Sequence, residues 1–149
     1  MDAERLIGVS RNVLAGSADA RAVLAEAGQA QALAQAIGSR LAYGGPAELR
    51  AEARELGEAG ERGGGAVGPP ALRGGAEIRA AQLSGVADVR GALTALDGLF
   101  GEVGIALVAV ACATDEEGLY WQCIEAIDAA DETGDRLGGM LRRLGGGAP

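Results

Sequence analysis

The sequence predicts an all-α protein, a helical bundle of about four main helices with a long C-terminal antiparallel helical hairpin. Apolar residues make up 48% of the 149 residues and aromatic residues only 3%, so alanine and leucine supply most of the core. That composition favours closely packed helices over β-sheets, which prefer β-branched and aromatic residues. The length suits one domain, and we expect residues 1–149 to form a single helical domain.

The hairpin is predicted from apolar positions that lie alternately four and three residues apart. Two sets of seven positions follow this spacing: Val89, Leu93, Leu96, Phe100, Val103, Leu107 and Val110, then Cys123, Ile127, Ala130, Gly134, Leu137, Leu141 and Leu144. Such heptad spacing is typical of a helix that packs along another helix. The two sets are out of phase by one residue, and Thr114 with Glu117 matches a capping box. We therefore expect a turn near Ala113–Thr114, with a turn at Gly118 or a kinked continuous helix as alternatives.

The N-terminal half is also expected to be helical. Asp2 can cap a first helix, whose inner side carries three apolar residues: Leu6, Val9 and Val13. Ser17 or Asp19 can cap a second helix, which the run Gly44-Gly45-Pro46 ends. The apolar stripe of this second helix holds six residues: Val23, Ala27, Ala30, Leu33, Ile37 and Leu41.

A third helix is expected over about residues 47–60, opened by Pro46. Its apolar stripe is narrow, so we expect it to pack at the periphery: Leu49, Ala53 and Leu56. Residues 61–75 are rich in glycine and contain Pro69 and Pro70, which predicts a flexible loop between the two halves of the bundle. A short helix is expected around residues 76–83, and residues 145–149 are expected to be a disordered tail.

Charge and hydropathy restrict the classes of partner. The net charge of −8 argues against nucleic-acid binding, which depends on neutralising phosphates. Met1 is followed by a charged segment rather than an apolar one, so no signal peptide is expected. The most apolar run, Val103–Ala113, has 11 residues, against the ~20 that span a bilayer. With two cysteines that read as reduced thiols, the expected location is the cytoplasm, with no membrane contact.

The chain contains neither histidine nor lysine. A Ser-His-Asp triad, a histidine general base, a lysine Schiff base and a lysine-containing phosphate loop therefore cannot be built. We expect no catalytic residues and no cofactor. An enzyme that works with carboxylates alone is kept as the third interpretation.

Tyr120 and Trp121 are adjacent, and side chains of adjacent helical residues point ~100° apart. One ring can therefore lie in the core while the other is exposed. Packing in the core is the favoured interpretation, and contact of an exposed ring with a partner is the alternative.

An acidic stripe is formed by four residues spaced 3-4-3 on one helical face: Glu125, Asp128, Glu132 and Asp135. Carboxylates on such a face can bind Mg²⁺ or Ca²⁺. No histidine is available for a di-iron site of the helical-bundle type. A solvated face is the favoured interpretation, and metal binding is the alternative.

Cys112 and Cys123 flank the expected turn, so a hairpin could bring them near each other. A buried pair of structural thiols is the favoured interpretation, and a redox switch is the alternative. Two cysteines without histidine cannot supply the four ligands of a thiol–metal site.

The opening MDAERLI and the stretch QAQALAQAIGSRLA, residues 29–42, resemble a small family of uncharacterised actinobacterial proteins that is known as a domain of unknown function. The resemblance covers mainly the first third of the chain. It implies no activity, cofactor or catalytic residue.

The heptad patterns and the missing catalytic side chains together predict a non-enzymatic bundle that acts through protein–protein contacts or self-association, with a protein partner or a homo-oligomer. The alternative is a carboxylate-based protein that binds a metal or a small ligand.

Overall fold

The computed structural model describes residues 1–67 and 78–145, and these form an all-α bundle, as the sequence predicts. One short and four longer helices follow in order: α1 (Ala3–Ala15), α2 (Ala20–Gly44), α3 (Arg50–Val67), α4 (Val89–Ala113) and α5 (Glu117–Gly145). Short 3₁₀ turns lie at Ala47–Leu49 and Arg79–Gln82. Within the described ranges there is no β-strand, only an isolated bridge between Asp2 and Gly85.

Aspartate caps three of the helices. The carboxylates of Asp2, Asp19 and Asp88 accept hydrogen bonds from backbone N–H groups in the first turns of α1, α2 and α4. Such caps satisfy donors that a helix start otherwise leaves unpaired. Asp19 rather than Ser17 caps α2, because the Ser17 hydroxyl donates to the carbonyl of Val13 instead.

α4 and α5 form the antiparallel hairpin that the heptad spacing predicts. Arg90 in the first turn of α4 donates to the carbonyl of Leu144 in the last turn of α5, at 3.0 Å. The turn lies where it is expected, but the capping box does not form. Thr114 is the C-cap of α4, and its hydroxyl accepts from the N–H of Glu116 at 3.2 Å rather than from Glu117.

Two inner faces are rotated from their expected positions. On α1, Val9 and Val13 are exposed, and the buried side chains belong to Ala3, Leu6, Ile7, Ser10 and Leu14. On α5 the buried seam, the row of core-facing residues, consists of Cys123, Ala126, Ala130, Thr133, Leu137 and Met140. It lies to one side of four positions expected in the core: Ile127, Gly134, Leu141 and Leu144. The apolar stripe of α2 is confirmed. On α4 five of the seven expected positions are buried, whereas Val89 and Val110 are half-buried and pack against the core.

α3 differs most from expectation. Residues 61–67, assigned from the sequence to a loop, continue α3 to Val67, while residues 68–75 lie outside the described ranges. The helix is not peripheral either, because it packs along α2 and also contacts α5. A Cβ atom on Gly60 would lie 2.6 Å from the backbone nitrogen of Gln35, and one on Gly38 would lie 2.5 Å from that of Gly57. The backbones of α2 and α3 therefore touch, which only glycine permits at these two positions.

Residues 78–88, the described segment that precedes α4, contact α1 and α2 through hydrogen bonds and an ion pair. Its 3₁₀ turn occupies part of the short helix expected around residues 76–83. The Arg79 side chain forms an ion pair with Glu26 and donates to the Ser10 hydroxyl at 3.3 Å. The backbone N–H of Arg79 donates to the side-chain oxygen of Gln29 at 2.9 Å. These contacts hold the start of α4 against the bundle.

Candidate functional site

The outer face of α4 is the most unusual surface of the described residues. We define it as Gly101, Ile105, Val108, Ala109 and Cys112, which lie on one side of the helix and are all exposed. Ile105 is 74% exposed and Val108 is 49% exposed. No charged residue occurs in residues 103–114, so α4 is apolar on its inner and outer sides alike. A surface helix normally carries its apolar residues on one side only.

A groove of about 480 Å³ between α1 and α4 continues this surface. Its α4 wall includes Ile105, Ala106 and Ala109, and its α1 wall includes Leu14. At one end the guanidinium of Arg11 holds the Glu102 carboxylate with two hydrogen bonds, of 2.8 and 2.9 Å. These bonds lower the pKa of Glu102 and raise that of Arg11. The ion pair fixes α1 beside α4 and leaves the apolar groove open.

Tyr120 and Trp121 lie in the first two turns of α5 and are both exposed, by 39% and 55%. Their rings form an edge-to-face pair with centroids 5.3 Å apart. The expectation that one ring enters the core is wrong, because the inward positions of this turn belong to Leu119 and Cys123. The connection Thr114–Glu116 is short, so this aromatic pair lies level with the last turns of α4.

Acidic side chains surround the aromatic pair. Trp121 shares one side of α5 with Glu117, Glu125 and Asp128, at helical spacings of four, four and three residues. These carboxylates are exposed, as are Asp115 and Glu116 in the turn, and none has an ion-pair partner in the described parts of the chain.

The four residues of the predicted acidic stripe share an exposed face, but they are not gathered around one point. Glu132 forms an ion pair with Arg62 of α3, one of three such pairs between α3 and α5. Across residues 1–67 and 78–145, no group of three or more acidic or thiol side chains is placed to hold a metal ion. The geometry therefore gives no support to the metal alternative.

The two cysteines are free and occupy different environments. Cys112 is exposed on the outer face of α4, whereas Cys123 is buried in the α5 seam. The interpretation as a buried thiol pair is wrong for Cys112. Burial raises the pKa of Cys123, which disfavours the reactive thiolate.

α4 also meets the length and composition of a membrane-spanning helix, with a mean hydropathy of 1.8 over its most apolar window. It is the one described helix that does so. Since 33% of that window is buried in the bundle, the same helix also serves as a core element.

A family model with the description "Family of unknown function (DUF6099)" matches residues 1–143. The chain belongs to this family. The match extends well beyond the first third of the chain, which the sequence resemblance mainly covers, and reaches the last turn of α5. Neither a curated protein nor a solved structure matches the chain.

Sequence reasoning found the aromatic pair but missed the outer face of α4. The signal lies in Val103–Ala113, where apolar residues also occupy the positions between those of the heptad set. A helix whose apolar residues occupy every side must expose some of them unless other elements surround it.

Proposed function

We propose that the protein acts by binding another protein chain through the outer face of α4 and the aromatic pair, without catalysing a reaction. The observation that carries this proposal is the exposure of Ile105, Val108 and Cys112 on a face without charge. Contiguous exposed apolar surface is uncommon on monomeric proteins and marks interaction sites.

The aromatic pair supports the same proposal. Tyr and Trp are enriched where interfaces derive most of their binding free energy, because a large ring buries much apolar area at little entropic cost. The open groove beside Ile105 fits the recognition of a helix, whose apolar residues enter such a groove at helical spacing.

A protein partner explains the surface better than a lipid bilayer does. The inner side of α4 carries eight buried residues, which would have to leave the bundle if the helix entered a membrane. The acidic residues near the aromatic pair would also be repelled by anionic lipid headgroups. We place the protein in the cytoplasm, a proposal supported by its two free thiols.

The proposal is tested with the double variant Ile105→Ser/Val108→Ser. Both side chains are exposed, so the melting temperature should stay within a few degrees of wild type. Binding partners that wild type captures, or self-association seen by light scattering, should be lost in the variant.

The matched control is Val9→Ser/Val13→Ser, which removes exposed valines from α1 outside the groove. It should keep the binding. If the control and the α4 variant behave alike in capture and in light scattering, the outer face of α4 is not the binding surface.

A further inference from the structure

We infer that the occupant of this surface is a basic amphipathic helix of a partner protein. Its apolar stripe would cover the outer face of α4, and its arginine or lysine side chains would meet the acidic side of α5. The inference rests on the proposed function and adds the chemistry of the partner.

The apolar face itself has the dimensions of a helix-binding surface. From Gly101 to Cys112 it extends about 17 Å along α4, close to three helical turns. Ile105 stands in the middle with small residues, Gly101 and Ala109, on the same face. A partner helix with apolar residues at i, i+3, i+4 and i+7 would reach this whole length.

The charge of the surrounding residues indicates which kind of partner fits this surface. Residues 91–135 contain ten acidic residues and no arginine. In the described residues, Glu102 is neutralised by Arg11 and Glu132 by Arg62, whereas Asp115, Glu116, Glu117 and their neighbours on α5 have no cationic partner. The chain thus leaves an excess of negative charge beside an apolar face, and a partner with positive flanks complements both.

The aromatic pair adds a reason for cationic side chains in particular. Trp121 is flanked on its own helical side by Glu117 and Glu125. A guanidinium placed over the indole can therefore make a cation–π contact and an ion pair at once. A second copy of this chain would bring like charges together at the same place, and an anionic lipid surface would do the same.

The inference can be tested with two synthetic helical peptides. Both carry leucine at i, i+3, i+4 and i+7, one with arginine at the flanking positions and one with glutamate there. Trp121 is the only tryptophan in the chain, so its fluorescence reports binding directly at the surface. The arginine peptide should shift the emission to shorter wavelength, and the glutamate peptide should bind at least about tenfold more weakly.

Two triple variants distinguish the effect of carboxylates near Trp121 on peptide affinity from the effect of the net charge of the protein. Each variant raises the net charge by 3. The variant Asp115→Asn/Glu117→Gln/Glu125→Gln removes three carboxylates that can pair with arginines of the peptide. Each exposed ion pair contributes modestly, so the loss of all three should raise the Kd of the arginine peptide about tenfold. In the control, Glu48→Gln/Glu58→Gln/Glu61→Gln, exposed carboxylates of the α3 region are removed instead, and the Kd should change less than about twofold. Far-ultraviolet circular dichroism verifies that all variants are folded.

Several outcomes would overturn the inference, and they separate it from the proposed function. Equal weakening by the two triple variants would mean that net charge alone attracts the peptide. If both peptides bind equally and Ile105→Ser/Val108→Ser abolishes that binding, the outer face of α4 is a docking surface but its partner need not be basic. A dimer that the same double variant dissociates would identify a second copy as the occupant. A fluorescence shift with phosphatidylcholine vesicles but with neither peptide would overturn both proposals in favour of a membrane.

Discussion

Gly60 provides the most direct test of the fold, because the contact between α2 and α3 rests on the absence of its side chain. A Cβ atom there would lie 2.6 Å from the backbone nitrogen of Gln35 and 2.7 Å from the carbonyl oxygen of Gln31. Both atoms belong to the helical backbone, so no rotamer change can make room. In Gly60→Ala the two helices must move apart, which costs about 3 kcal/mol, the upper end of the range for overpacking.

A gain offsets part of that cost. Alanine inside a helix is favoured over glycine by about 1 kcal/mol. The free energy of unfolding should therefore fall by about 2 kcal/mol, which lowers the urea midpoint by roughly 1 M at a typical slope. Gly38→Ala should behave similarly, since its Cβ would lie 2.7 Å from the carbonyl oxygen of Ala53.

Two other glycines of α3 serve as controls. A Cβ on Gly57 would lie 3.5 Å from the nearest atom, and one on Gly64 would meet nothing within 4 Å. Gly64→Ala should raise the free energy of unfolding by about 1 kcal/mol. Gly57→Ala should leave it unchanged or raise it slightly. Urea unfolding followed by circular dichroism measures all four variants. If Gly60→Ala stabilises the protein as much as Gly64→Ala does, α2 and α3 do not approach as closely as described.

Three further predictions concern single groups. Arg79→Met leaves the Glu26 carboxylate, whose side chain is only 10% exposed, without its ion-pair partner. The free energy of unfolding should therefore fall by roughly 3 kcal/mol. Adding Glu26→Gln removes the buried charge and should restore part of the loss, as thermal or urea unfolding would show. In the native protein Cys112 should react with a thiol reagent within minutes, while Cys123 should react only on unfolding; two fast thiols would contradict its burial. The hydrogen bond from the backbone N–H of Ala87 is the largest cause of the lowered pKa of Asp2. The ionised Asp2 carboxylate therefore stabilises the fold fully above its ordinary pKa of 3.8, and this stabilisation is lost as the pH falls through the lowered pKa. Asp2→Asn should therefore flatten the acid limb of the stability curve below about pH 4, and an unchanged limb would refute this role.

The regular patterns of the sequence were sufficient to predict α2, α4 and α5. Their apolar residues repeat over many turns, and the helix limits follow from Asp19, Gly44 and the turn after Ala113. On α5 the buried seam is offset, because Ala126, Thr133 and Met140 enter the core alongside the expected Cys123. A heptad pattern indicates a packed side but does not fix the rotation of the helix to within one residue position.

The end of α3 could not be predicted from local preference. Gly63, Gly64 and Gly65 each disfavour a helix by about 1 kcal/mol, which is why the sequence suggests a loop. In the structure the side chain of Gln31 occupies the space beside Gly63 and accepts a hydrogen bond from Thr133 at 2.8 Å. A contact among α2, α3 and α5 thus holds this turn, and residues over 100 positions apart in the chain supply it.

The outer face of α4 connects the fold to the proposed function. Burying Ile105 and Val108 in the bundle would need another element on that side. The described helices pack along the other sides of α4 and leave both side chains exposed. The apolar residues there contribute nothing to the packed core, while their exposure favours association. Cys112 is the one nucleophilic side chain on the outer face, and residues 103–114 hold no charge. We propose that a second chain covers these outer residues. The acidic residues of the turn and of α5 that have no ion-pair partner among the described residues favour a basic one.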